Sequence, residues 1–501
     1  MSKYKRYDYS QSILIPVFLK DQLMPGTLEF AIHTLVEDRM DLSVFDCQYS
    51  NDETGRKAYN PKILLKIVLL AYSRGIISSR QIEQACKENI VFMALACGQC
   101  PDHSTIAKFV SSMKDQILPL FRGILLVCDQ EGLLGGTFFA LDGCKLPTNA
   151  SKDKSGKFAD IKKRKDKVDQ KIKQLIDEQI KADHGKKCQD IELSHQQVQI
   201  DKLQRQADRI ERWLNSNEPK KGAHGREPQS NLTDNESAKM YTSHGAIQGY
   251  NGQALVDGKH QVVVHAEAFG HGQDHGHLAP MIEGAKHNLT QIGKSKQCLK
   301  GKIFTADTNY HTQDNLEKCI EEDLDAYIPD RYFRKRDRRF ATQKRYQPRK
   351  KKQYDLTDFK YDRVNDRYIC PGGHQLRLNV KKFTRDRNIY RRYLADFDDC
   401  SSCALTGKCL RRKNAKRRTL DIQIGVEANN YSRAMAAKVD SEKGRQIYPL
   451  RMSVVEPVFG NIRTNKRLNR FNLRGKIKVS IQWMLYCMVH NIEKIAKLAP
   501  I

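Results

Sequence analysis

Three acidic side chains are the residues of this chain best suited to metal-dependent chemistry. Asp142 follows the apolar run 137–141, Asp307 follows the run 302–306, and Glu456 opens a basic segment with the composition of a helix. Two strand-end aspartates and a helical glutamate can converge on two divalent cations, which activate water or a hydroxyl and stabilise the leaving oxygen of a phosphodiester. Hard cations favour carboxylate oxygens, so all three positions must be acidic. The alternative is structural, because a strand-end Asp often bonds nearby backbone N–H groups as a turn or cap residue.

A series of short motifs surrounds these acids, in order, along nearly the whole chain. The motifs occupy residues 59–66, 78–83, 101–107, 141–143, 248–253, 306–310 and 455–460. Together they resemble the DDE transposases of bacterial insertion sequences, which have a ribonuclease H-like catalytic core. The resemblance implies that Asp142, Asp307 and Glu456 are catalytic and bind Mg²⁺ or Mn²⁺. It also implies cleavage of DNA at the element ends, followed by joining of the 3′ hydroxyl to target DNA.

The motifs depart from the family pattern at two places. In the second acidic motif Asn309 replaces a glycine, and because Asn also tolerates left-handed backbone we expect the turn to be kept. Near Glu456, Arg451 lies five positions before the acid rather than four, after Tyr448, and Arg463 stands where relatives carry Lys. Positive charges are therefore present on both sides of Glu456, but the sequence does not predict which phosphates they contact.

Basic residues near the acids are candidates for binding DNA phosphates. Lys145 lies three residues after Asp142. Positions 456, 460 and 463 share one face of an α-helix, where Gly460 would leave room for DNA. The expected DNA contacts are Lys145, Arg451, Arg463, Lys466 and Arg467 near the acids, and Arg334, Arg338 and Arg339 in a basic tract.

The segments between the acids predict the strands of an α/β fold. Residues 249–257 and 260–269 are apolar-rich and meet at Asp257-Gly258, a strong hairpin signal. A helix over 278–285 and a strand over 302–306 follow. This order suits a ribonuclease H-like mixed sheet, with the first aspartate on its first strand and the second just after its fourth. The two central strands would be neighbours, so the aspartates could share a metal ion.

Length and composition divide the chain into several domains. The first region, 1–130, predicts a helical, helix-turn-helix-like domain that recognises element DNA, and a helical dimerisation domain is the alternative. The other assignments are 137–157 and 231–330 to the first part of the catalytic core, 158–217 to a helical hairpin with heptad spacing, 331–420 to a basic, cysteine-containing β-rich insertion, and 421–501 to the rest of the core.

The basic tract 331–352 carries twelve Lys or Arg and one acid, with four aromatic residues interleaved. Cations pair with phosphates and aromatic rings stack on splayed bases, so the tract suits nucleic acid. The alternative is a solvated basic loop, and both descriptions hold if the tract orders on binding DNA.

Four cysteines follow the basic tract, and the last three have the spacing Cys-x2-Cys-x5-Cys. They are Cys370, Cys400, Cys403 and Cys409. Four thiolates suit a structural Zn²⁺, and His374 could replace one of them. Because the first cysteine has no close partner in sequence, reduced cysteines packed in a small β subdomain are an equal alternative.

The overall composition suits a DNA-binding protein of a reducing compartment. Lys and Arg total 87 against 59 Asp and Glu, a net charge of +28, and so basic a chain binds polyanions readily. We find no run of 18 apolar residues and no signal peptide in the first residues. We therefore expect a cytoplasmic bacterial protein with its 14 cysteines reduced. Its partners would be double-stranded DNA, at terminal inverted repeats and target, and a second copy of itself in the DNA complex.

Two other functions share these features. A DNA-binding regulator derived from a transposase would have lost catalysis, which the presence of all three acids argues against. A DNA endonuclease with the same core would cut without strand transfer, and its metal site would be identical.

Overall fold

A computed structural model describes residues 18–48, 57–184, 190–222, 225, 227–243, 245–346, 353–385, 388–412, 414–426 and 430–499. Residues 1–17, part of the turn expected at 184–185 and the end of the basic tract at 347–352 lie outside the described residues. The helices are α1 (Leu28–Thr34), α2 (Pro61–Ser73), α3 (Ser79–Glu88), α4 (Ile90–Leu95), α5 (His103–Ser112), α6 (Ile117–Gln130), α7 (Phe158–His184), α8 (Asp190–Ser216), α9 (Leu278–Gln291), α10 (Gln313–Glu321), α11 (Phe333–Arg336), α12 (Phe397–Ser401), α13 (Thr406–Cys409), α14 (Tyr431–Asp440), α15 (Glu442–Ile447), α16 (Leu450–Gly460) and α17 (Lys476–Leu498). The strands are β1 (Phe138–Pro147), β2 (Ser155–Gly156), β3 (Ser230–Asn231), β4 (Ala238–Thr242), β5 (Gly245–Asp257), β6 (Val263–Phe269), β7 (Ile303–Ala306), β8 (Asp325–Tyr327), β9 (Lys360–Asp362), β10 (Arg367–Ile369), β11 (Gln375–Arg385), β12 (Asn388–Ala395) and β13 (Thr419–Val426).

The chain forms two compact units. The first comprises Met1–Thr305 and Leu450–Ile501, and the second comprises Ala306–Pro449. Residues 306–330, which the sequence assigned to the first part of the core, thus belong to the second unit. None of the described helices is long and apolar enough to cross a membrane.

The N-terminal helices begin where the sequence provides caps. Asn60 accepts the N–H of Lys62 in front of α2, and Pro61 fills the first helical position, where its missing N–H costs nothing. Asp102 accepts two N–H groups from the first turn of α5. Ser78 precedes α3, but its side chain makes no capping bond. The described part of 1–130 is helical, as the sequence predicted.

The main sheet of the first unit has β5 and β1 at its centre. β1 pairs antiparallel with one edge of β5, and β4 and β6 occupy successive stretches of the other edge. β7 lies on the far side of β1, so the two central strands are neighbours, as predicted. The predicted hairpin at Asp257-Gly258 is confirmed, since β5 ends at Asp257 and β6 returns antiparallel to it.

The C-terminal helix α17 packs on one face of this sheet. The fully buried indole of Trp483 donates to the carbonyl of Gln253, 2.8 Å away, and lies flat against Gly252. A Cβ on Gly252 would come within 3.0 Å of that ring, so only glycine allows this close approach. The contact therefore holds α17 against β5, and β5 in turn pairs with β1.

The helices α7 and α8 form the predicted heptad-spaced pair. Apolar side chains from both helices form a small core that contains only residues of these two helices. It consists of Ile172, Leu175, Ile200 and Ala207, with Val168 and Leu203 packed against it.

The second unit contains a five-stranded antiparallel sheet in the order β13-β12-β11-β10-β9. It lies in the segment where the sequence predicted a β-rich insertion. Its buried core is small and consists of Phe359, Leu376, Tyr393, Ala395 and Leu420.

Candidate active site

Asp142 lies in the middle of β1, not at the strand end that the sequence predicted. Its Oδ1 accepts the N–H of Gly143 at 2.8 Å, and its Oδ2 accepts from Nη1 of Arg451 at 2.6 Å. Arg451 is a buried residue of α16. The ion pair therefore joins the strand that carries the first acid to the helix that carries Glu456.

Burial raises the pKa of Asp142 above its ordinary value, because the charged carboxylate is removed from water. The Arg451 guanidinium and the Gly143 N–H oppose that rise, while the negative charge of Asp274 adds to it. A second cation beside this carboxylate would favour its ionised form further.

Glu456 is exposed on α16, whereas Arg451 on the same helix is buried. The helix does not continue in α geometry as the sequence predicted, since residues Asn461–Asn465 form a π-helix. A π-helical turn shifts the angular positions of the residues that follow it, so Arg463 does not keep the α-helical alignment with Glu456. A Cβ on Gly460 would meet no atom within 4 Å, so space beside Glu456 is open.

Arg463 is exposed and its charge reaches β1 next to the first acid. Burial raises the pKa of the Cys144 thiol to about 12, and the positive charge of Arg463 acts against that rise. Cys144 and Asp142 are two residues apart on a strand, so they face the same side of the sheet. Arg463 is therefore placed near the side of the sheet that Asp142 faces.

Lys145 does not share that side. It is three residues from Asp142 in a strand with continuous pairing, so its side chain leaves the opposite face. Its cross-strand partner is Asn251. Lys145 therefore does not lie beside the first acid, and its contact with DNA stays a prediction.

Lys466 and Arg467 differ sharply although they are adjacent. Lys466 is fully buried and forms an ion pair with Glu493 of α17, so it is not available to a DNA phosphate, contrary to the sequence-based expectation. Arg467 is exposed and its backbone has a φ of 54°. It packs on Gly75, where a Cβ would come within 3.0 Å of its side chain.

A polar group that the sequence did not identify lies on the other face of the sheet. Asn251 and Gln253, neighbours of β1, both donate to Oδ1 of Asp274, at 2.5 and 3.0 Å. Asp274 is the acid whose charge raises the pKa of Asp142. The motif at 248–253 drew attention to Asn251 and Gln253, but nothing local marked Asp274 as their partner.

Asp307 belongs to the second unit and follows β7 directly. Its carboxylate caps the short 3-10 helix Thr308–Tyr310 by accepting the N–H of Asn309 at 2.8 Å. Asn309 is helical and not left-handed, so the turn does not use the backbone freedom that the sequence predicted for it. The capping role raised as the alternative is therefore present.

The described part of the basic tract is partly neutralised within the second unit. Arg336 pairs with Asp330 and Asp440, and Arg339 pairs with Asp337. Six exposed cations in the described part of the tract form no such ion pair, and they are Arg331, Arg334, Lys335, Arg338, Lys344 and Arg345. The Arg334 guanidinium instead lies over aromatic rings, 5.4 Å from the centre of Phe340 and 5.9 Å from that of Tyr346.

The four cysteines of the second unit line a single small cavity together with His374 and Asp399. A Cβ on Gly372 would lie 3.4 Å from the sulfur of Cys403 and 3.6 Å from that of Cys370. The N–H of Leu405 donates to the sulfur of Cys403 at 3.4 Å. The four cysteines are therefore together, as both alternatives considered for the sequence require.

Carboxylates such as Asp142 and Glu456 are the donors that Mg²⁺ and Mn²⁺ prefer, so these residues fit a hard divalent ion. Asp142 already holds a cation at one oxygen, the guanidinium of Arg451. Across the residues that the structure describes, however, no three His, Cys, Asp or Glu side chains are arranged to hold a metal ion.

Two family models match the chain. A model described as "Transposase DDE domain" matches residues 369–496, which include Glu456 and the four cysteines. A model described as "Transposase domain (DUF772)" matches residues 17–112, which include α1 to α5. Asp142 and Asp307 lie outside both matches. A search of curated proteins finds no match.

Proposed function

We infer that the chain is a DDE transposase of an insertion sequence, because transposase family models match residues 17–112 and 369–496. We propose that it cuts DNA at the ends of its element and joins the freed 3′ hydroxyl to target DNA. In the first step water attacks a phosphodiester and the 3′ oxygen leaves. In the second step that 3′ hydroxyl attacks a target phosphodiester, and the target's own 3′ oxygen leaves.

The proposed metal ligands are Asp142, Asp307 and Glu456. Two bound Mg²⁺ or Mn²⁺ ions would activate the attacking oxygen and neutralise the leaving oxygen. The order of elements around β1, β5, β6 and β7 supports a ribonuclease H-like core for this site.

The observation that carries the proposal is the 2.6 Å ion pair between Asp142 and Arg451. It places the helix of Glu456 against the strand of Asp142 within one compact unit. A buried carboxylate is stable as an anion only beside a cation. In the proposal, Arg451 holds Asp142 ionised until metal and DNA arrive.

Exposed cations would then bind the DNA backbone. Arg463 is exposed near the face of β1 that carries Asp142, and Arg467 follows four residues later. In the second unit, Arg334 and Arg338 are among the described tract residues that form no ion pair with an acid, whereas Arg339 must leave Asp337 before it can bind a phosphate. Phosphate contacts of this kind position DNA without reading its sequence.

The test uses a plasmid that carries the gene with its flanking DNA, mixed with a target plasmid and Mg²⁺. A transposase cuts at the element ends and yields joined products. An endonuclease yields cut DNA without joining, and a catalytically inactive regulator shifts the DNA in a gel without cutting it. Products joined by E456Q as efficiently as by the unchanged protein would reject the proposed site.

A further inference from the structure

The helix that carries Glu456 contains a gap in its own hydrogen bonding. Pro457 lies inside α16 and has no N–H to donate to the carbonyl of Ser453, four residues earlier. The side chain of Gln261 fills this gap, because its Nε2 donates to the Ser453 carbonyl at 2.9 Å. Gln261 comes from the β5–β6 connection, far away in sequence.

Gln261 is itself held in an unusual conformation by α17. Its φ is 62°, a left-handed backbone that costs a residue with a side chain on the order of 1 kcal/mol. Its carbonyl accepts from Nε2 of His490 at 2.9 Å, and its Oε1 accepts from Nζ of Lys494 at 2.8 Å. The hydrogen bonds to Ser453, His490 and Lys494 together hold Gln261 in this strained conformation. Strained residues that are held in this way are common at functional sites.

His490, which bonds to Gln261, also contacts the chain on the C-terminal side of Glu456. Its ring is buried, which lowers its pKa to about 3 and keeps it neutral. A carbonyl can only accept, so Nε2 carries the proton and Nδ1 accepts from the Asn461 amide at 3.0 Å. Asn461 is the first residue after α16. Gln261 and His490 thus contact the helix segment three residues before and five residues after Glu456.

We propose that Gln261 is a positioning residue that holds the Glu456 helix at a fixed place relative to β5 and β6, by supplying the hydrogen bond that Pro457 cannot. The proposal rests on Glu456 being a metal ligand, as proposed above. It assigns a role to a side chain that would touch neither metal nor DNA.

The test is a double-mutant cycle with Q261N and P457A. Asn tolerates the left-handed backbone but is one carbon too short to reach Ser453. Alanine at the proline position restores the N–H that Ser453 lacks, so it removes the need for Gln261. Cleavage of a plasmid carrying the gene with its flanking DNA is measured against Mg²⁺ concentration, and DNA affinity and melting temperature are measured in parallel.

We expect Q261N to raise the Mg²⁺ concentration for half-maximal cleavage, or lower the rate, by about three- to tenfold, the effect of one lost hydrogen bond. DNA affinity should be unchanged, and the loss should shrink to less than twofold in the P457A background. If Q261N lowers cleavage equally in both backgrounds, the inference about Gln261 is wrong. It is also wrong if Q261N has no effect in either background while E456Q is inactive. In both cases the proposed function is unaffected. An active E456Q would instead overturn the proposed function on which it rests.

Discussion

The two sheets of this protein hold reactive side chains by different means. The main sheet is covered by α17 and α16, and large apolar groups such as Trp483 and Tyr250 are fully buried against it. That core holds the partly buried Asp142 and the buried Arg451 2.6 Å apart. The small sheet of the second unit has five buried residues, with four cysteines beside them. A large apolar core can hold a charged site by packing, whereas a small one needs a further cross-link.

The two units also use their positive charges differently. In the first unit Arg451 and Lys466 are buried, and each forms an ion pair with an acid. In the second unit Arg334 and Arg338 are both exposed, and the Arg334 guanidinium lies over an aromatic ring. The net charge of +28 therefore overstates the cations that are free to meet DNA.

The largest effect should come from the proposed catalytic acids. We expect D142N, D307N and E456Q each to abolish cleavage in Mg²⁺ while DNA binding survives, because each change keeps size and removes a charged ligand. Product formation on the element plasmid is the measurement. D314N, an exposed acid in the second unit, is the matched control and should cleave normally. Full cleavage by any of the three variants would remove that residue from the site.

The stability of the small sheet should depend on its four cysteines, whereas the main sheet is stabilised by its apolar core. We expect purified protein to hold about one Zn²⁺ per chain, lost in C400S/C403S together with the folded small sheet, because a structural zinc supplies folding free energy. Elemental analysis and amide hydrogen exchange are the measurements. The exposed pair C47S/C97S is the control and should keep the metal. Metal-free protein whose small sheet is equally protected would leave the cysteines only a packing role.

Lys466 tests whether a buried cation of the first unit acts in DNA binding or in stability. We expect K466M to lower the free energy of unfolding by about 3 kcal/mol, since it leaves Glu493 partly buried without its partner. The double variant K466M/E493L should recover part of that loss. The salt dependence of DNA binding should not change in either variant. A flatter salt dependence with unchanged stability would return Lys466 to the DNA-binding set.

The exposed part of the basic tract should have the smallest and most graded effect. Changing the tract's exposed cations to Gln should weaken DNA binding and flatten its salt dependence by roughly 0.9 log units per lost phosphate contact. The six positions are Arg331, Arg334, Lys335, Arg338, Lys344 and Arg345. R336Q/R339Q is the control, because those two are already paired with acids and should change the slope less. An unchanged slope in the six-site variant would show that the tract does not contact DNA.

Short-range signals in the sequence predicted much of the architecture. The Asp257-Gly258 hairpin signal and the heptad spacing of α7 and α8 both act within a few residues. For the same reason they predicted the neighbourhood of each acid but not its exact setting. Asp142 was expected at a strand end, yet β1 continues for five more residues.

The partners of the functional side chains were decided only by the tertiary structure. Asp142 and Arg451 are 309 positions apart, and Gln261 and Ser453 are 192 apart, so no local pattern links them. Residue type alone did not separate buried Lys466 from exposed Arg467, because both follow the same helix in a basic segment. Composition and periodicity determined which residues could do chemistry here, whereas packing of the C-terminal helices on the sheet determined which of them are paired and buried and which remain exposed.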